Sequence, residues 1–279
     1  MDVSIVLTML AVGLILGFVG AGGSGFIISI LTLLYGVSVH VALATALTAM
    51  IFSSLSGAVS HYREGNVSLK SGISVGILGA LGAWIGSNLS SFIPEGELKW
   101  LTAGMLLLSG VLLWLRMFLF SRQQKERTIP TGAKFVVYSL LIGLITGALS
   151  GMFGIGSTPF IQLGLMMVLG LSIRQSAGTT MLVIIPIAIG GGMGYYQQGF
   201  LDIPLLIQVV VGTMVGSYIG AKFTNRVPAP VLKTSLVALP IFSSFLLVFW
   251  AFFLKKSYEK RFQFTCISKR SHKYLVIIV

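Results

Sequence analysis

Two short stretches of this chain concentrate the residues suited to binding chemistry. "FVGAGGSGFI", Phe18 to Ile27, places Gly20, Gly22, Gly23 and Gly25 around Ser24. "GIGSTPF", Gly154 to Phe160, sets Gly154 and Gly156 beside Ser157, Thr158 and Pro159, with Gln162 just beyond. Both lie in long uncharged runs, where each interior glycine costs a helix roughly 1 kcal/mol against alanine and a proline removes a backbone hydrogen bond. The pattern predicts helices that break partway. A break inside a membrane creates a new helix N-terminus with free N–H groups and a partial positive charge, which is a ready anion site. The hydroxyls of Ser24, Ser157 and Thr158 and the amide of Gln162 add neutral donors. The chemistry expected is reversible capture of a small anion, with no cofactor.

The alternative use of glycine is packing, since small residues let helices approach closely. Gly82 and Gly86, with Gly216 and Gly220, have that spacing and are expected to pack. Four glycines in six residues serve more than one helical face and weaken the helix itself. Thr45 and Thr179 are further site candidates, each weighed against a threonine that bonds its own helix carbonyl. His40 and Arg174 stand at equivalent helix starts, as interfacial anchors or as a gate attracting anions. His61, beside Tyr62, can titrate near neutral pH, but a single histidine does not by itself indicate proton coupling.

The elements that must hold these residues follow from composition. Hydrophobic residues make up 55% and charged residues only 9%, with a mean hydropathy of +0.96. Soluble domains carry about 25% charged residues, so the chain belongs to the integral membrane class and is expected in the cell membrane. At roughly 20 apolar residues per crossing, eight segments emerge: Val3–Tyr35, Val39–His61, Ser71–Phe92, Leu98–Leu119, Phe135–Leu169, Ser176–Tyr196, Ile203–Phe223 and Val231–Leu254. The first is too long for a signal peptide and lacks a basic leader, so it is expected to stay as a span. Cys266 is alone, which excludes an intrachain disulfide and a cysteine-based metal site.

The net charge of +12 sits in two clusters, Arg116 to Lys134 and the tail after Leu254. Basic runs beside apolar spans mark cytoplasmic faces and attract anionic lipid headgroups; nucleic acid is not an expected partner. Both clusters are expected to be cytoplasmic, which requires an even number of crossings between them. Charge therefore favours eight crossings over an arrangement in which each long segment is a re-entrant hairpin and the halves are inverted. All seven acids, Asp2, Glu64, Glu95, Glu97, Glu126, Asp202 and Glu259, fall in turns or termini. Carriers of metal ions or organic cations usually keep a carboxylate within the membrane, so an anion is the better client.

The chain also repeats itself. An offset of 134 residues matches Gly17–Lys99 to Gly151–Lys233 without a gap. Gly20 falls on Gly154, Gly22 on Gly156, Gly65 on Gly199 and Pro94 on Pro228, so turn residues and glycines carry the match. The expected fold is an all-α polytopic membrane protein, with about eight transmembrane helices in two homologous four-segment repeats whose first helices are broken. Residues 1–119 form the first repeat, 120–134 a basic cytoplasmic linker, 135–254 the second repeat, and 255–279 a basic C-terminal tail. A homo-oligomer is compatible with this pattern but not specified by it.

These residues resemble the sulfite exporter TauE/SafE family, from Gly17 to about Trp250. "GAGGSGF" and "GIGSTPF" carry the resemblance, with "HVALATAL", "RQSAGTTM", "HYREGNV" and "YYQQGFL". It implies a permease for sulfite, sulfoacetate, sulfolactate or related organosulfur anions, with Gly20 to Gly25 and Gly154 to Thr158 lining the central site. The expectation is a secondary transporter and not an enzyme, since the spans hold no paired carboxylates and no His/Cys cluster. A passive anion channel and a non-transporting membrane assembly factor are the alternatives.

Overall fold

The computed structural model describes residues 3–19, 24–115, 132–155, 157–224, 234 and 237–248. These form helices and no strand: α1 (Val3–Val19), α2 (Ser24–Tyr35), α3 (Val39–Arg63), α4 (Leu69–Ser90), α5 (Glu95–Trp114), α6 (Ala133–Phe153), α7 (Thr158–Met167), α8 (Ile173–Gln197) and α9 (Ile203–Thr224), followed by α10 (Val237–Val248). The pairs α2 and α7, α3 and α8, and α4 and α9 each start 134 residues apart. Local chemistry marks the starts. The Ser38 hydroxyl accepts the Val41 N–H at α3, Ser172 and Gln175 form a capping box at α8, and Glu95 and Glu97 complement the dipole of α5.

Outside and inside are chemically reversed relative to a soluble protein. Ile73, Ile77, Leu81, Trp84 and Ile85 of α4 are all exposed, and similar apolar faces cover the other long helices. Serine and threonine hydroxyls are buried among the helices. A contiguous apolar exterior of this extent needs lipid around it. α3, α4, α5, α6 and α8 are long and apolar enough to cross a bilayer.

The long first and fifth segments do not run straight. The Tyr35 hydroxyl, at the end of α2, bonds Ser4 Oγ at 3.1 Å and Thr8 Oγ1 at 2.8 Å, at the start of α1. α2 therefore returns alongside α1. Gly164 of α7 lies against Ile142, some eleven residues before the end of α6, which is possible only if α7 doubles back in the same way. The eight expected segments thus become ten helices, with a helical hairpin in place of each long one.

Contacts also fix the helix directions. α4 and α6 run parallel: a Cβ added at Gly143, Gly147 or Gly151 would fall on the carbonyls of Val75, Gly79 and Ala83 in turn. α1 and α9 run parallel, with Gly212 against Val6 and Leu10 and Gly216 against Leu10 and Leu14. α3 and α8 are antiparallel, since Leu47 meets Gly191 while His61 meets Gly178. α5 and α10 are antiparallel, with Gly110 on Ile241 and Ser244 Oγ donating to the Ala103 carbonyl. Of the glycines expected to pack, Gly82, Gly86 and Gly216 do so against neighbouring backbone. The surroundings of Gly220 lie outside the described residues.

α5 ends, and α6 begins, at one end of the bundle; α10 ends at the other.

Candidate functional site

The second break is described almost completely. α6 stops at Phe153, and Gly154 turns the chain in the left-handed region at φ 61°. A Cβ there would strike Leu43 of α3, backbone included, so glycine is required twice over. Ser157 then adopts φ 41°, the one non-glycine residue with positive φ among those described. Such a conformation costs roughly 1–3 kcal/mol and persists only where its surroundings impose it. Thr158 opens α7 with Pro159 in the first turn, where the missing N–H has no helical partner to lose. Pro159 thus starts a new helix and does not kink an old one.

The first break is framed by Val19 at the end of α1 and Ser24 at the start of α2. Gly20, Gly22 and Gly23, like Gly156 in the second break, lie outside the described residues. Ser24 is fully buried. Gly25 is pressed against the Leu106 side chain of α5, where a larger residue would displace it.

Both breaks open on one cavity of about 50 Å³. Ser24 and Gly25 reach it from α2, and Thr158, Pro159 and Gln162 from α7. Leu106 and Ser109 come from α5, and Pro240 and Ser243 from α10. These walls pair off across the 134-residue offset: Ser24 with Thr158, Gly25 with Pro159, Leu106 with Pro240, Ser109 with Ser243. Ser109 and Ser243 were missed because the sequence match was followed only to Lys99 and Lys233. Carrying the same offset ten residues further finds them. The rest of the lining is apolar, including Phe26, which stacks on Phe242 at 6.1 Å.

The electrostatics follow from helix direction. α2 points its N-terminus into the bundle from one end and α7 from the other. At 1.5 Å per residue their lengths are about 18 and about 15 Å, together close to a hydrocarbon core of about 30 Å. The two N-termini therefore meet near mid-depth, each carrying roughly half a unit of positive charge. Ser24 Oγ, Ser157 Oγ and Thr158 Oγ1 are buried, and none has a hydrogen-bond partner among the described residues. Each such hydroxyl costs on the order of 1–3 kcal/mol if nothing answers it. Their clustering at two opposed helix starts suits an incoming group that accepts hydrogen bonds. Gln162, 4% exposed, brings the one side-chain amide to the lining.

Other candidates lie elsewhere. Thr179 Oγ1 accepts the Ser68 N–H at 3.0 Å and so ties α8 to the α3–α4 turn. Thr45 is buried in α3, its hydroxyl without a partner among the described residues, and is not among the residues lining the cavity. His40 is wedged at one end of the bundle, its Nε2 3.1 Å from the Ser90 carbonyl and its ring stacked on Phe200. Its counterpart Arg174 is exposed. His61 packs where α3 meets Gly178 of α8, 4.0 Å from Glu64.

Comparison with known proteins places this geometry in context. The family described as Sulfite exporter TauE/SafE matches residues 5–247. The chain is 53% identical over 247 residues to the probable membrane transporter protein YdhB of Bacillus subtilis, covering 88% of this chain and 99% of that one. A probable membrane transporter protein of Xylella fastidiosa is 27% identical over 78% of this chain and 83% of its own. One from Methanocaldococcus jannaschii is 24% identical over 82% and 90%. No solved structure matches the chain at a significant level.

Proposed function

The chain belongs to the sulfite exporter TauE/SafE family, and from that premise we propose that it is a secondary transporter for a small sulfur-containing anion such as sulfite or an organosulfonate. The observation that carries the proposal is the convergence of two opposed helix N-termini on one cavity, with Ser24 and Thr158 hydroxyls that have no partner among the described residues. Bound there, the anion takes hydrogen bonds from Ser24, Ser157, Thr158 and Gln162 and from the free N–H groups of α2 and α7. Gly25 and Gly154 admit the backbone. Gly20, Gly22, Gly23 and Gly156 belong to the proposed site on sequence grounds. Thr45 and Thr179 are left out of it.

The protein works as two inverted halves, α1–α5 and α6–α10, with the site between them. Supporting this, equivalent helices pair crosswise: α4 along α6 and α9 along α1, with α3 antiparallel to α8. One departure from that symmetry supports alternating access. On α8, Gly190 lies against the Ala80 carbonyl and Gly194 against Ser87 of α4. Their counterparts on α3, Ser56 and Ser60, are exposed. α8 thus packs more closely on α4 than α3 does on α9, and transport exchanges the two conditions.

The test is uptake into vesicles holding the purified full-length protein. Saturable, gradient-driven uptake of labelled sulfite or sulfoacetate is expected. Flux that does not saturate makes the protein a channel. No flux of sulfite or of any organosulfur anion removes the substrate assignment.

A further inference from the structure

We infer that Thr45 and Thr179 are a reciprocal pair of positioning residues, each holding one of the two conformations of the transport cycle through the backbone N–H of a helix start. The inference rests on the reading of the halves as inverted units that exchange conditions. It assigns work to two threonines that stand outside the cavity.

Thr179 is engaged. Its Oγ1 accepts the Ser68 N–H at 3.0 Å. Ser68 is the residue before α4, so that N–H has no partner within its own helix. Next to Thr179, a Cβ added at Gly178 would fall on the Asn66 carbonyl, so the start of α8 sits tightly on the α3–α4 turn. The 134-residue offset matches Thr179 to Thr45 and Ser68 to Asp202. Asp202 likewise precedes its helix, α9, where its Oδ1 accepts the Leu205 N–H at 3.0 Å. The equivalent bond, from the Asp202 N–H to Thr45, is not made. Thr45 is fully buried, and its hydroxyl has no partner among the described residues.

That idle hydroxyl sets Thr45 apart from other buried threonines of the bundle. Thr32, Thr146, Thr180 and Thr213 each donate to the carbonyl four residues back, the usual recourse in an apolar helix. Thr45 does not. A second pair repeats the contrast. The Tyr195 hydroxyl of α8 donates to the Gly151 carbonyl of α6 at 2.7 Å. Its equivalent on α3, His61, keeps a buried Nδ1 with no hydrogen-bond partner among the described residues. The polar groups of α8 are in use, and those of α3 are held in reserve.

A buried group left unanswered in one conformation favours another that answers it. In the exchanged conformation Thr45 takes the Asp202 N–H, and Thr179 releases Ser68. The α8–α9 turn is already at hand: Phe200, two residues before Asp202, stacks on His40 at the start of α3, with ring centroids 4.7 Å apart. One residue sets the balance. Ala44 stands where the second half has Gly178, so the α8–α9 turn meets a methyl group where Asn66 meets none. That methyl opposes the Thr45 bond and tilts the equilibrium toward the present conformation.

Thiol labelling reads this equilibrium in vesicles holding the full-length protein, with no anion added. Ser87 is fully buried against Gly194 of α8. In a Ser87→Cys/Cys266→Ser background, a water-soluble maleimide reaches the thiol when α8 parts from α4. Adding Thr179→Val should speed labelling about two- to tenfold, the shift expected for one hydrogen bond. Thr45→Val should slow it by a similar factor, and the double variant should return close to the starting rate. Ala44→Gly should speed it. A merely structural role would loosen the bundle in both single variants, so faster labelling in both, or no change in either, overturns the inference. If Thr179→Val does not fold, Thr45→Val and Ala44→Gly decide, by slower and faster labelling respectively. Sulfite uptake by the same vesicles separates the two readings. No uptake, with labelling shifts of opposite sign, removes the substrate assignment and leaves the threonine pair. Saturable uptake, with shifts of one sign, leaves transport and removes the pair.

Discussion

Ser24 and Thr158, 134 residues apart in the chain, open α2 and α7 from opposite ends of the bundle and line the same cavity. Neither hydroxyl has a protein partner among the described residues. Two equivalent positions in a duplicated chain thus supply the two sides of one site.

Removing those hydroxyls should weaken transport without weakening the fold. A hydrogen bond to a charged group contributes about 1.5–3 kcal/mol, so Ser24→Ala or Thr158→Val should raise the half-saturating anion concentration roughly ten- to hundredfold. Thermal unfolding in detergent should stay level or rise slightly, because an unanswered buried hydroxyl is gone. An unchanged concentration dependence of uptake in both variants would sink the assignment.

The packing glycines should behave in the opposite way. Gly147→Leu drives a side chain into the Gly79 carbonyl and must part α6 from α4, at a cost on the order of 1–3 kcal/mol or more. Gly104, with open space where a Cβ would stand, should accept alanine and gain up to about 1 kcal/mol of helix stability. Unfolding temperatures of the two variants check the contrast; equal temperatures would contradict the parallel α4–α6 contact.

Because α5 and α10 end at opposite ends of the bundle, the linker and the tail are expected on opposite sides of the membrane, which thiol chemistry can read. Cys266 is the only native cysteine. In sealed vesicles of one orientation, an impermeant maleimide should reach Cys266 from one side. In a Cys266→Ser background, Gln124→Cys should react from the other. Labelling of both from the same side would restore an even number of crossings.

The looser contact of α3 with α9 makes a prediction of its own. Ser60→Cys should react quickly with a water-soluble thiol reagent, and Ser54→Cys, on a buried face, slowly. A saturating transported anion that exchanges the open and closed interfaces should change the Ser60→Cys rate. A rate indifferent to every transported anion would argue against alternating access at α3 and α9.

How much of this was legible beforehand varies with the residue. The break at Gly154 to Thr158 was, because left-handed turns and helix starts are local and glycine, serine and proline mark them. The pairing of Ser24 with Thr158 was visible in the repeat, and so was the use of Gly82, Gly86 and Gly216 in packing. Thr179 was not: its partner, the Ser68 N–H, is far away in the chain, and a threonine engaged across helices looks the same in sequence as one facing a ligand. The hairpins stood as the alternative that charge disfavoured, because neither a charge count nor hydropathy records the direction that apolar chain takes.

By itself, the sequence determined a membrane-bound, all-helical, duplicated chain with two breaks and no acid at depth. These properties depend on composition, on short-range backbone preference and on self-similarity, all of which are written residue by residue. Only the tertiary structure decided that the breaks are hairpin tips, that α3 and α8 run antiparallel, and that the halves are inverted around one cavity. Those outcomes depend on which surfaces meet: Tyr35 on Ser4 and Thr8, Gly147 on Gly79, Leu47 on Gly191. Contacts between distant residues set direction, and direction decides whether two helix N-termini point apart or converge on the same cavity.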